Sequence, residues 1–159
     1  MAGLIDRHVA RTTGSAYSVG MTTPLQCLVA FALWTLALVL VGVGPWRIGQ
    51  VLMNKARPNS FPSGQPHGPE WYQRLNRAHA NAVENLPVFA ALVIAGEVSG
   101  LARTVPLLTT LPLVIVVARL GQTVAHISSG RSLVVNIRFT CFIVQAVSMA
   151  IMGALLLGG

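Results

Sequence analysis

Charge is what this sequence has least of. Of its 159 residues only 9% are Asp, Glu, Lys or Arg, and just four are carboxylates. A water-soluble domain carries roughly 25% charged residues, so this chain cannot cover a solvent-exposed surface. Cysteine is nearly absent as well. Cys27 and Cys141 lie inside apolar runs, where small buried hydrophobes is the reading ahead of a disulfide or a metal pair. No Gly-rich phosphate loop follows a strand, no Cys or His residues pair at metal spacing, and no Ser/His/Asp set is evident. Nothing in the sequence therefore points to a bound metal.

What is there is apolar. Hydrophobic residues make up 53% of the chain and gather into four runs. Three of these reach roughly 18 residues or more if an occasional polar residue is allowed, as a bilayer span requires. The chain reads as an all-α integral membrane protein, a bundle of four transmembrane helices. The formal net charge of +7 would suggest nucleic acid in a soluble chain. Here the basic residues sit mostly at the ends of apolar runs, where they anchor and orient helices.

In chain order, residues 1–24 form a polar tail, with Met21 as an alternative start, and residues 25–159 form the membrane domain. The first span is expected over about 25–43 and closed by Gly44-Pro45, with Trp46 in the aromatic belt and Arg47 among the headgroups. A Pro- and Gly-rich loop over 47–73 follows. The remaining spans are expected over about 73–98, 104–127 and 133–157. Pro87 should bend the second. Arg47, Lys55, Arg57, Arg74, Arg77, Arg131 and Arg138 cluster at one side, against Arg7, Arg11 and Arg103 at the other. The first and third loops should thus be cytoplasmic, with both termini outside.

The second span opens on Arg74-Leu-Asn-Arg-Ala-His-Ala-Asn-Ala-Val-Glu84. With about 100° per residue, Arg74, Arg77, Asn81 and Glu84 fall within an arc of roughly 80°, and His79 points almost the opposite way. An ionisable group in a span costs roughly 2.5–3.5 kcal/mol on insertion scales, so it needs partners, water or a ligand. Bland readings stand beside the functional one. Arg77 and Glu84 would neutralise each other, Arg74 would snorkel, and Asn81 would be interhelical glue. On the third span Arg119, Gln122 and His126 share a face. Arg119 needs an anionic partner, either Glu84 or a bound anion, whereas His126 alone is more often a packing residue. Arg138, at the start of the fourth span, either snorkels or serves the same site. Glu97 reads as an interfacial residue. The surplus of arginine over carboxylate at one face favours an anionic small molecule held by guanidinium forks.

Arg77-Ala-His-Ala-Asn81 followed by Glu84-Asn-Leu-Pro87-Val-Phe resembles the second-helix motif of the MAPEG family, the membrane-associated proteins of eicosanoid and glutathione metabolism. The segment from Ala118 to His126 is similar to the family's third-helix motif, and Arg138 fits its catalytic arginine. The resemblance covers about residues 25–157. It implies a homotrimer of four-helix protomers with glutathione bound between neighbours as co-substrate. Arg77, Asn81 and Glu84 would hold the tripeptide, aided by Arg74, Arg119 and His126, and Arg138 would stand by the thiol. The implied activity is a membrane-bound glutathione transferase or peroxidase acting on lipophilic electrophiles or hydroperoxides from the bilayer. Departures from the pattern are Gln122 and His126 in place of His and Tyr, and Phe139 and Phe142 in place of Ser and Tyr. The turn between His126 and Arg138 is longer as well. These keep a second reading open, a non-catalytic lipid- or partner-binding member. A four-helix transporter is a third, and it leaves the arginines unexplained. Short loops and an Ala/Val/Arg-rich composition suit a bacterial source and hence an inner membrane.

Overall fold

The computed structural model describes residues 20–62, 65–128 and 131–159. Most of the expected polar tail lies outside the described residues, as do Ser63 and Gly64 of the first connection and Ser129 and Gly130 of the third. Four long helices form: α1 Thr23–Leu52, α2 Glu70–Val98, α3 Pro106–Ser128 and α4 Ser132–Gly158. A single helical turn, Leu101–Thr104, joins α2 to α3. Each long helix has the length and apolar composition to cross a bilayer, and no strand occurs among the described residues. The chain is an all-α, multi-pass membrane protein.

Gly44-Pro45 does not end the first span, as the sequence suggested. Proline has no N–H, and in a regular helix its ring would clash with the carbonyl four residues back. The chain accommodates it by widening. Leu38–Val43 is π-helical, and the Gly44 N–H reaches back to the Val39 carbonyl. A Cβ on Gly44 would lie 2.9 Å from that oxygen, which is why glycine stands there. The helix then runs on to Leu52, so Arg47 sits on α1 rather than in a loop. Pro87 and Pro112 lie inside α2 and α3 without ending them.

Successive helices run antiparallel, α1 and α2 joined over residues 53–69 and the later pairs by short connections. At one end Thr22 Oγ1 donates to Glu97 Oε1 at 2.5 Å, tying the start of α1 to the end of α2. Gly100, at φ 77°, turns the chain there at no steric cost. The opposite end gathers Arg47, Arg77, His126 and Arg138. Core packing centres on α3, which touches the other three long helices, most extensively α4. Phe31 and Phe89 pack with ring centroids 5.4 Å apart, within a cluster that includes Leu38, Leu75, Ile115 and Met152. Ala78, Ala82 and Gly96 are buried along α2, where small residues let helix backbones approach in lipid. Leu33, Val41, Val83, Val117 and Val147 point outward, an apolar exterior that suits hydrocarbon.

Candidate functional site

Arg119 sits mid-way along α3 and is only 2% exposed. A buried guanidinium in a span must be answered by acceptors. Its Nη1 donates to Asn81 Oδ1 on α2 at 2.6 Å and to Gln122 Oε1 one turn along α3 at 2.9 Å. From α1, the Phe31 ring lies 5.1 Å from its Cζ, a cation–π contact that gains strength where water is excluded. The expected anionic partner, Glu84, is not used. Neutral amides and a ring face take its place, which avoids burying a second charge. Arg119 Nε and Nη2 are buried with no hydrogen-bond partner among the described residues.

Arginine only donates, so each amide bonded to it must present oxygen. Asn81 therefore turns Oδ1 inward, where it also receives a long contact of 3.4 Å from Asn85 Nδ2. Its Nδ2 is left over as a donor. Gln122 Oε1 also accepts from Gln145 Nε2 on α4 at 3.0 Å, and Gln145 itself is fully buried. The Thr123 hydroxyl donates to the Arg119 carbonyl and accepts from Trp34 Nε1 on α1. All four helices thus brace one arginine.

A second cluster lies towards the end of the bundle. Arg138 Nη1 stands 3.3 Å from His126 Nδ1, so that nitrogen accepts and the ring proton sits on Nε2. Arg138 of α4 thus meets His126 of α3 directly.

The remaining residues of the stripe are placed differently. Arg74 does not join the network; it pairs with Glu70 on its own helix at 3.1 Å. Arg77 is exposed and lines a cleft with Arg47. No Arg77–Glu84 ion pair forms, and Glu84 is exposed without a partner among the described residues. His79 is two residues from Asn81, about 200° around the helix, and its Nδ1 is enclosed without a partner among the described residues. Below Asn81, Asn85, Val88, Phe142 and Met149 line an apolar groove of about 380 Å³ between α2 and α4.

Sequence reading missed Gln145, Trp34 and Tyr72. Gln145 is an amide inside an apolar run, and that cost was the available signal. Trp34 is partly buried and Tyr72 fully buried, and their polar tips call for partners that only the packed bundle reveals.

The polar residues thus brought together on α2, α3 and α4 are those of the motifs in the sequence, in one bundle of four spans. A family model, that of the MAPEG family, matches residues 24–158. The chain belongs to the MAPEG family. No protein in the search of curated proteins matches it significantly. In this MAPEG protein the Arg119–Asn81 pair, the Arg138–His126 pair and the outward-facing Arg77 and Glu84 make up the candidate site.

Proposed function

We propose that this MAPEG protein is a membrane glutathione transferase that also acts as a glutathione peroxidase. The observation that carries the reading is the Arg119–Asn81 bond of 2.6 Å. It fixes an amide donor beside Arg77 and Glu84, which have no ion-pair partner among the described residues and together suit the carboxylates, amides and amino group of a zwitterionic tripeptide. Arg77 and Glu84 face outward from the protomer, which supports a site completed by a neighbouring subunit and hence a homotrimer. The basic end of the bundle is proposed to be cytoplasmic, and the membrane a bacterial inner membrane.

In this reading Arg138 stands by the thiol, held by His126. A free thiol has a pKa of about 8.5, and an adjacent guanidinium in a low-dielectric site favours the thiolate, which is the nucleophile. With an electrophile, sulfur forms a bond to carbon and the leaving group departs with its electron pair. With a hydroperoxide, sulfur attacks the terminal oxygen and the O–O bond breaks, giving the alcohol and a sulfenic acid. A second glutathione then converts the sulfenic acid to the disulfide and water. The apolar groove beside Asn85 suits a lipophilic partner arriving from the bilayer.

Titrating glutathione into the purified protein by calorimetry, then adding a lipophilic electrophile and looking for conjugate, tests the proposal. Absence of both binding and conjugate contradicts it. Binding without conjugate supports a non-catalytic member, a reading favoured by Phe139 and Phe142, which put exposed aromatic surface beside Arg138.

A further inference from the structure

A second cationic feature lies apart from the Arg119 network, where the end of α1 meets the start of α2. Because α1 continues through Pro45, Arg47 projects from a helix against Tyr72. Its Nε donates to the Tyr72 hydroxyl at 2.7 Å, and its Cζ lies 5.4 Å from the Phe61 ring centroid. Tyr72 is fully buried, packs against Trp46 with centroids 3.8 Å apart, and has His67 Nε2 at 3.4 Å from its hydroxyl. The guanidinium is thus fixed by neutral groups, with both terminal nitrogens left over. Across a cleft of about 480 Å³ stands Arg77. Neither arginine has a carboxylate partner among the described residues, and Glu70, next to the cleft in sequence, is engaged by Arg74. Asn76 turns its Nδ2 to the Tyr72 carbonyl, leaving its oxygen as an acceptor.

We propose that this cleft binds the phosphate of an anionic membrane lipid. Two guanidinium groups without a counter-charge present forked donors that match phosphate oxygens. The cleft lies at the helix ends, among Trp46 and Trp71, residue types that favour the membrane–water interface. Its walls are partly apolar, from Phe61, Pro62 and Pro66. Ile48 and Leu52, one and five residues beyond Arg47, are exposed on α1 at 60% and 76% and offer a surface to acyl chains. Basic pockets between spans on the cytoplasmic side hold anionic headgroups in this way. The proposal does not rest on the glutathione reading, but it shares Arg77 with it and adds Arg47, which that reading does not use.

The test reconstitutes the full chain in phosphatidylcholine discs containing a minority of phosphatidylglycerol, without glutathione. Native mass spectrometry then counts the lipids retained. The expected result is phosphatidylglycerol retained several-fold above its share of the bilayer. That excess disappears in Arg47→Gln and falls in Tyr72→Phe, which keeps the ring against Trp46 and removes only the hydroxyl. Retention at the bulk share in the wild type overturns the proposal, as does an excess unchanged in both variants. Inorganic phosphate at moderate concentration should leave the lipid in place, and displacement by it identifies a free-anion site instead. Displacement by glutathione assigns the cleft to the glutathione site and likewise overturns the proposal.

Discussion

Arg119 on α3 donates to Asn81 on α2 at 2.6 Å, and that contact dictates which way the Asn81 amide faces. Because a guanidinium cannot accept, Oδ1 is committed inward and Nδ2 outward. The proposed binding face on α2 is therefore set from α3, one helix away.

Asn81→Asp separates the two ends of that amide. The carboxylate still accepts from Arg119, so thermal stability is expected to hold or rise. The outward donor is lost, and glutathione affinity measured by calorimetry is expected to fall about tenfold, or about 1.4 kcal/mol. Unchanged affinity would remove Asn81 from the binding face.

Arg119→Met removes a buried charge answered only by neutral groups. Apolar replacement of buried ionic groups is often neutral or stabilising, so the melting temperature is expected not to drop. Glutathione binding should weaken nevertheless, because Asn81 is freed to rotate. A variant that loses stability and keeps its affinity would show that the arginine is structural alone.

Gln122 and Gln145 are not equivalent, although both are buried. Gln122 Oε1 accepts from two donors, and Gln122→Met takes that acceptor from both. Arg119 Nη1 keeps Asn81 and Gln145 Nε2 keeps the Cys141 carbonyl, so the cost is expected at the low end of the roughly 1–3 kcal/mol of a buried group left unpaired. Gln145 Oε1 is already unpaired among the described residues, so Gln145→Met should cost less. Chemical denaturation of the two variants in detergent ranks them.

Much of this arrangement is legible in the sequence, for physical reasons. Four spans follow from run length, and the shared face of Arg77, Asn81 and Glu84 follows from helical period. Gly44-Pro45 misleads because proline in a sequence signals a stop, whereas a π-helical turn lets the helix continue. The demand for a partner at Arg119 is visible, but its identity is not. Charge balance nominates Glu84, and desolvation favours Asn81 and Gln122. Gln145 carries no motif and becomes meaningful only once α3 and α4 are packed. The pairing of Arg47 with Tyr72 likewise depends on where α1 ends.

Gly68 tests the first connection. Its φ is 75°, and a Cβ there would sit 2.7 Å from the Trp46 ring. Gly68→Ala should lower stability by at least the ~1–2 kcal/mol of a left-handed residue, seen as a lower melting temperature. An unchanged melting temperature would mean that the loop yields without disturbing Trp46 and Tyr72.

The most direct measurement compares glutathione conjugation with glutathione affinity in Arg138→Ala. Loss of a group that stabilises developing charge typically lowers kcat by about 10²–10³. The account predicts a fall of that size in conjugate formation with a lipophilic electrophile, while calorimetric affinity for glutathione changes little. Turnover equal to that of the wild type would contradict it.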